Sequence, residues 1–175
     1  MKGKLLLGFL SLISLLFIVI AFVIYSYKSN RESYFRNFPE VVVSDLFFRS
    51  VNLGEHATDA ASVLIYFNSS CPICQSEAQL IERSFREDTL TRFLWVSSES
   101  VEEVKNFTAQ YNLDSLDTHR FYSDTLFRLA SAFRLTGVPA SFVYDGGGHL
   151  VDYTLGAVAI SDLTLSIQKA HDRTR

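Results

Sequence analysis

The chain has 175 residues, a hydrophobic fraction of 48% and a formal net charge of −3. This apolar content supplies a core and excludes a disordered chain. Lysine and arginine are scattered without a basic run, so the composition gives no support to nucleic-acid binding. The only two cysteines, Cys71 and Cys74, exclude a multi-bridge disulfide scaffold and a four-cysteine zinc site.

The amino-terminal segment is uncharged and mostly apolar from Leu5 to Tyr27. A helix of that length crosses a hydrocarbon core of about 30 Å. The alternative is a cleaved signal peptide, whose apolar region is roughly 7 to 15 residues long and ends at a small-residue cleavage site. Because no clear A-x-A pattern is found after it, we expect a transmembrane signal-anchor helix over residues 1–28, a tether over 29–39 and one domain over 40–175.

The positive charges that flank this segment do not orient it. Lys2 and Lys4 on one side are balanced by Lys28, Arg31 and Arg36 on the other. A lone first helix of signal-peptide character normally directs the rest of the chain out of the cytoplasm. We therefore expect the domain to lie on the extracytoplasmic side.

The predicted elements of the domain alternate between strands and helices, as in an α/β fold with a mixed central sheet covered on both faces. The apolar run at 61–67 predicts a buried strand, and Pro72 suits the first turn of the next helix. In chain order the elements are a β-rich edge within 41–48, a strand over 61–67, a helix from Pro72, a strand over 91–97, a helix over 101–111, a strand over 119–122, a helix over 124–133, a hairpin of 140–145 and 149–155, and a helix capped by Ser161 that reaches Lys169.

The motif Cys71-Pro72-Ile73-Cys74 stands where the predicted strand gives way to a helix. The unpaired N–H groups and the dipole at a helix start favour a thiolate at Cys71. Cys74, one turn further on, is close enough to resolve a mixed disulfide formed by Cys71. A static disulfide or half of a metal site is the alternative, and both are disfavoured because there is no second cysteine pair and so short a loop gains little from a bridge.

A second motif, Thr136-Gly137-Val138-Pro139, precedes a predicted strand. Together with the CPICQSE run at 71–77 and the run at 137–156, it resembles the membrane-anchored TlpA/ResA-like branch of the thioredoxin superfamily. The resemblance covers roughly residues 63–170. It implies a thioredoxin fold with an added helix–strand unit at about 101–122.

The resemblance also implies roles for individual residues. Cys71 is expected to be the exposed nucleophile, Cys74 the buried resolving thiol, and Pro139 a cis-proline whose neighbour Val138 pairs its backbone with an extended partner segment. Pro72 and Ile73 are expected to contact the same segment.

Glu77 matches an acid that lies near the active site in this family and can relay the proton of the resolving thiol. The alternative for Glu77 is a solvated glutamate near a helix start. One departure from the family is the run Phe67-Asn68-Ser69-Ser70, which stands where an aromatic Trp-x-x-Trp run is usual.

The sequence thus predicts a thiol–disulfide oxidoreductase of a bacterial inner membrane that acts on exported protein thiols and disulfides, more readily as a reductant, with a membrane-embedded electron donor. No cofactor and no metal is predicted, and the four dispersed histidines are interpreted as surface or hairpin residues. Two alternatives remain: a redox-inactive peptide-binding module with this fold, and a peroxiredoxin-type peroxidase, against which the missing Pro-x-x-x-Thr-x-x-Cys pattern argues.

Overall fold

The computed structural model describes residues 2–56 and 59–174, and the chain divides between Tyr34 and Phe35 into two compact units. The first unit contains one long helix, α1 (Lys2–Glu32). Its part from Ile13 to Glu32 is long and apolar enough to cross a membrane, by length and composition. The expected apolar helix is therefore present. A signal sequence near the amino terminus can pass the same test of length and composition, so the anchor itself stays a prediction.

The second unit contains the other helices and strands. They are β1 (Val42–Asp45), β2 (Ser50–Asn52), β3 (Ser62–Phe67), α2 (Pro72–Phe85), β4 (Arg92–Ser97), α3 (Val101–Gln110), β5 (His119–Ser123), α4 (Arg128–Ala132), β6 (Ala140–Tyr144), β7 (Leu150–Leu155) and α5 (Ile160–Thr174), with short 3-10 turns at Leu53–His56 and Leu113–Ser115. The added helix–strand unit expected at about 101–122 corresponds to α3 and β5.

Seven strands form one sheet in the order β2-β1-β5-β4-β3-β6-β7. Strand β4 pairs in parallel with β3 and with β5, whereas the other neighbouring strands pair antiparallel. The predicted mixed α/β sheet is confirmed. Because β3, β4 and β5 are parallel, their last residues meet at one side of the sheet, which we call the carboxyl edge. The polar residues Asn68, Ser98 and Asp124 come directly after the three strands there.

The main core lies between one face of the sheet and helices α2, α3 and α5. Every residue of β3 is buried, which accounts for its nearly unbroken apolar sequence. Large members of this core are Ile65, Phe67, Ile81, Phe85, Trp95, Phe107, Leu163 and Ile167. Cys74 belongs to the same cluster, so the second cysteine of the motif is part of the hydrophobic core.

Aromatic rings fill the opposite face of the sheet. Phe35 contacts Phe142 with ring centroids 5.0 Å apart, and the Tyr144 hydroxyl donates to the Phe35 carbonyl oxygen at 3.0 Å. Phe38 packs edge-on against Tyr144. The compact unit therefore begins at Phe35, inside the segment 29–39 that the sequence assigns to a tether, because Phe35 and Phe38 bury their rings.

Most element boundaries lie within one residue of the sequence prediction, and the last helix extends to Thr174, beyond the predicted Lys169. Three further differences have a structural reason. The helix expected over 124–133 is shorter, because Asp124 forms a turn and its carboxylate accepts from the N–H groups of Arg128 at 2.8 Å and Leu129 at 3.0 Å. Phe47, expected in a β-rich edge, lies in the β1–β2 turn and is 75% exposed. Ser161 is inside α5 and does not cap it, because that helix begins at Ile160.

The expectation of a surface or hairpin position is wrong for His119. Its side chain is buried in β5, where it stacks on Phe93 with ring centroids 4.6 Å apart. The Trp95 Nε1–H donates to His119 Nδ1 at 3.0 Å. Since an indole nitrogen only donates, Nδ1 is the acceptor and the neutral ring carries its proton on Nε2. Burial lowers the pKa of His119 to about 4.

We predict that His119 makes the fold less stable in mild acid. The unfolded chain binds a proton at this ring near pH 6.5, whereas the folded chain does so only near pH 4, so the free energy of unfolding falls as the pH drops between these values, by roughly 3 kcal/mol at most. In His119→Asn the amide oxygen can still accept from Trp95, and this part of the pH dependence disappears. Urea unfolding of the full chain in detergent at pH 4.5 and pH 7 measures it, and an equal loss of stability in both proteins would contradict the prediction.

Candidate active site

Cys71 and Cys74 lie at the carboxyl edge, where β3 is joined to α2. Cys71 is the N-cap residue of α2, with φ −79° and ψ 116°, and its Sγ accepts from the Cys74 N–H at 3.4 Å. Pro72 occupies the first helical turn, where a missing N–H costs no helical hydrogen bond. The strand–loop–helix setting expected for the motif is observed.

The two cysteines differ in exposure. Both are free thiols, with Cys71 half-buried and Cys74 only 1% exposed. Pro72 and Ile73, which separate them, are exposed. An incoming molecule therefore meets the Cys71 sulfur and the two residues after it, while the Cys74 sulfur faces the core.

The pKa of the Cys71 thiol is lowered. Burial by itself raises this pKa, but hydrogen bonds from Cys74 and from the Ile73 backbone outweigh it, and the negative charge of Glu77 opposes them only in part. These donors belong to the first turn of α2, where N–H groups have no helical partner. Cys71 therefore ionises more readily than an ordinary cysteine and is the more nucleophilic thiol near neutral pH.

The pKa of the Cys74 thiol is raised to about 12. Burial is the main cause, and the neighbouring Cys71 and Glu77 add to it, while a hydrogen bond from the Asn68 backbone acts in the opposite direction. Cys74 therefore stays protonated near neutral pH. A base must take its proton before it can attack a disulfide.

The loop before β6 lies beside the end of β3. Ala140 pairs with Tyr66, and the preceding Val138–Pro139 peptide bond is cis, as the resemblance implies. The Pro139 carbonyl accepts from the Gly156 N–H at 2.8 Å. Cys71 and Val138 both pack on the edge of the main core. Within residues 2–56 and 59–174, no hydrogen bond uses the Val138 backbone.

Glu77 is buried on the inner face of α2, 4% exposed, and is not the solvated glutamate of the alternative interpretation. Its Oε1 accepts from the Val158 N–H at 3.3 Å, and its Oε2 has no hydrogen-bond partner among the described residues. Burial raises the pKa of Glu77 to about 7, although the Val158 bond opposes this. Near neutral pH both the carboxylic acid and the carboxylate are thus populated, close to Cys74.

The sequence did not indicate the contacts of Glu99. This residue comes just after β4 on the carboxyl edge and accepts hydrogen bonds from Ser69, two residues before Cys71. The available signal was position alone, since Glu99 and Ser69 each come shortly after a predicted strand, and consecutive strands of an α/β fold are often neighbours. The part of the chain that the structure describes contains no group of three or more histidine, cysteine or acidic residues that can hold a metal ion.

No family model matches the chain, and no curated protein matches it. Several solved structures, however, are similar to the chain. One is MTB DsbF in its mixed oxidized and reduced forms, with 22% identity and a TM-score of 0.65 over 76% of this chain and 98% of that one.

Two further solved structures are similar in fold. A secreted Mycobacterium tuberculosis disulfide oxidoreductase homologous to E. coli DsbE has 16% identity and a TM-score of 0.64, over 74% of this chain and 96% of that one. A thiol:disulfide interchange protein of the thioredoxin family from Chlorobium tepidum TLS has 19% identity and a TM-score of 0.60, over 77% and 94%. These similarities show that the fold is thioredoxin-like, as the sequence predicts.

We predict that Glu77 destabilises the fold once it is charged. Its pKa is about 7 in the folded chain, whereas the ordinary value for a glutamate is 4.5. The protonated side chain therefore adds to the free energy of unfolding below pH 4.5, and this contribution is lost as the pH rises through 7. In Glu77→Gln this loss is absent, and we expect the variant to unfold with a free energy up to about 3 kcal/mol higher than the unchanged protein at pH 8. Urea unfolding at pH 4 and pH 8 measures the difference.

The matched control is Glu103→Gln. A hydrogen bond from Ser100 lowers the pKa of the fully exposed Glu103, so the same substitution there should reduce stability at pH 8. A Glu77→Gln variant that is destabilised at pH 8 to the same degree as at pH 4 would contradict the prediction.

Proposed function

We propose that the chain is a thiol–disulfide oxidoreductase that acts on exported or envelope proteins through Cys71 and Cys74, more readily as a reductant. The observation that carries the proposal is the difference between the two sulfurs in exposure, position on the helix and direction of the pKa shift. A half-exposed thiol with a lowered pKa stands at a helix start, and a buried protonated thiol stands one turn behind it.

In the first step the Cys71 thiolate attacks one sulfur of a disulfide in the partner. The partner's S–S bond breaks, a mixed disulfide to Cys71 forms, and the released partner thiolate takes a proton from solvent. The first-turn N–H groups of α2 make the thiolate available near neutral pH.

In the second step Cys74 attacks the Cys71 sulfur of the mixed disulfide. The Cys74 thiol first loses its proton, the new Cys71–Cys74 bond forms, and the partner's second thiolate leaves and is protonated. Two electrons thus pass from the dithiol to the partner, whose disulfide becomes two thiols. A membrane-embedded electron donor then returns the Cys71–Cys74 disulfide to the dithiol.

Glu77 is the group that takes the Cys74 proton. Its pKa of about 7 lets its carboxylate accept a proton near neutral pH and release it afterwards. Its unpartnered Oε2 is the oxygen with a free acceptor site.

The partner segment binds across the exposed side of the dithiol. The Val138 N–H and C=O have no hydrogen bond among the described residues and can pair with an extended backbone, as a strand does at a sheet edge. Pro72 and Ile73 offer exposed apolar surface on the other side of Cys71. Gly137 leaves room for close approach, because no atom lies within 4 Å of the position that a Cβ would occupy.

The location that we propose is a bacterial inner membrane, with α1 as a single-pass anchor and the domain on the extracytoplasmic side. The apolar length of α1 supports an anchor. One protein with a similar fold is a secreted disulfide oxidoreductase, which supports an extracytoplasmic setting for the chemistry.

We predict that Cys74→Ser traps partners through Cys71. Without the resolving thiol the mixed disulfide persists, so non-reducing gels of membrane extracts should show adducts that disappear on reduction and that contain exported proteins. Cys71→Ser is the matched control and should show none. The unchanged full chain in detergent should reduce insulin disulfides, and both variants should not.

The trapping experiment also separates the alternatives. Absence of adducts in Cys74→Ser together with no insulin reduction by the unchanged protein would contradict the proposal. Peptide binding that persists in a Cys71→Ser, Cys74→Ser double variant would then indicate a redox-inactive binding module.

We predict that the carboxyl terminus lies outside the cytoplasm. Alkaline phosphatase fused after Arg175 should be active, because that enzyme needs disulfides that form only outside. Removal of residues 1–28 should abolish its activity. A fusion that is inactive, while a cytoplasmic reporter at the same position is active, would contradict the proposed location.

A further inference from the structure

The carboxylate of Glu99 joins two segments of the carboxyl edge. Its Oε2 accepts from the Ser69 N–H at 2.7 Å and from the Ser97 hydroxyl at 2.8 Å. Its Oε1 accepts from the Ser69 hydroxyl at 2.6 Å. One half-buried side chain thus connects the end of β4 to the loop that leads into Cys71.

Further hydrogen bonds hold the same loop from the side of α2. The Gln75 side-chain amide donates to the Ser69 carbonyl oxygen at 2.8 Å. The Cys71 N–H donates to the Asn68 carbonyl oxygen at 3.2 Å. The N–H, the hydroxyl and the carbonyl of Ser69 are therefore all bonded, and its position is fixed between β4 and α2.

At position 99, between the end of β4 and the loop before Cys71, a carboxylate satisfies the surrounding donors better than any other side chain of its size. Three donor groups converge on it, and an ionised carboxylate accepts at both oxygens and donates nothing. A glutamine offers one acceptor oxygen and an NH₂ group, so at least one of these bonds is lost or is replaced by a neutral bond in which the NH₂ group donates to a serine hydroxyl. Hydrogen bonds to an ionised acceptor are also stronger than neutral ones.

We propose that Glu99 is a positioning residue for the thiol–disulfide exchange, which holds the loop 68–70 so that Cys71 stays at the N-cap of α2. The inference rests on the proposed function and assigns Glu99 a part in it without contact to the partner. In the observed backbone conformation the Cys71 Sγ accepts the N–H of Cys74 at 3.4 Å.

If the loop 68–70 is held less firmly, the pKa of Cys71 changes. When Cys71 leaves the N-cap conformation, the first-turn N–H groups no longer reach its sulfur, and the thiolate loses the interactions that favour it. The ionisable groups that act on Cys71 are Cys74 and Glu77. Among the described residues, the Glu99 carboxylate accepts hydrogen bonds from Ser69 and Ser97 and from neither of these two groups, so we expect both to keep their places on α2 when Glu99 is changed. The expected result is a higher pKa at Cys71.

The test is Glu99→Gln in the full chain in detergent. We expect the pKa of Cys71, measured from thiolate absorbance, to rise by about one, since a lost hydrogen bond to a charged group has roughly this effect. Alkylation of Cys71 at pH 7 should slow severalfold, by at most about tenfold. Ser69→Ala removes only the bond from the hydroxyl and should cause a smaller rise in the same direction.

The matched control is Glu103→Gln. Glu103 also accepts from the N–H and hydroxyl of a serine, Ser100, and belongs to the capping box of α3, so this substitution removes a similar carboxylate without touching the loop. We expect the pKa of Cys71 to be unchanged in this variant. The rise should therefore depend on the contact with Ser69 and not on the loss of a negative charge or of stability.

The Glu99 inference and the proposed function have separate outcomes. An unchanged Cys71 pKa in folded Glu99→Gln and Ser69→Ala, or an equal rise in Glu103→Gln, would overturn the inference alone. An ordinary Cys71 pKa in the unchanged protein would overturn the proposed function. If Glu99→Gln does not fold, Ser69→Ala with no rise at Cys71 overturns the inference, and a rise supports it.

Discussion

The chemistry of this protein depends on the hydrogen bond from the first turn of α2 to the Cys71 sulfur. Strand β3 ends at Phe67, and a three-residue loop leads to Cys71. The bond exists because Cys71 occupies the N-cap position and the helix begins at the next residue, Pro72. The N–H groups at a helix start have no helical partner and favour a negative charge. The fold therefore prepares a thiolate by placing one residue at the start of a helix.

One turn further along α2, burial raises the pKa of the side chains that face the core, whereas the helix start lowers the pKa of Cys71. The Cys74 sulfur and the Glu77 carboxyl both face the main core, and burial raises the pKa of each. One helix, with Cys71 at its exposed start and Cys74 on its buried face, thus shifts the pKa values of two identical side chains in opposite directions. Glu77 acts electrostatically on Cys74, and in the mechanism that we propose it is the group that accepts the Cys74 proton near neutral pH.

Much of this arrangement could be predicted from the sequence, because local patterns specify it. The buried strand, the helix after Pro72 and the alternation of strands and helices along the chain are indicated by apolar runs and turn residues, and the two motifs indicate the residues of the candidate site. Other features depend on contacts between distant residues. Phe35 belongs to the folded unit through rings on β6 and β7, and His119 is held in the core by Trp95 on the neighbouring strand. Glu99 is thirty positions from Ser69, and no local pattern joins them.

The most direct test of the account is the pH dependence of alkylation at each cysteine of the reduced, folded chain, with the modified residues identified by mass spectrometry. We expect one alkyl group per molecule, at Cys71, with an apparent pKa below the ordinary value of about 8.5, and no modification of Cys74 until the chain is unfolded. Equal modification of both thiols, or a Cys71 that reacts only with the pKa of an ordinary cysteine, would contradict it.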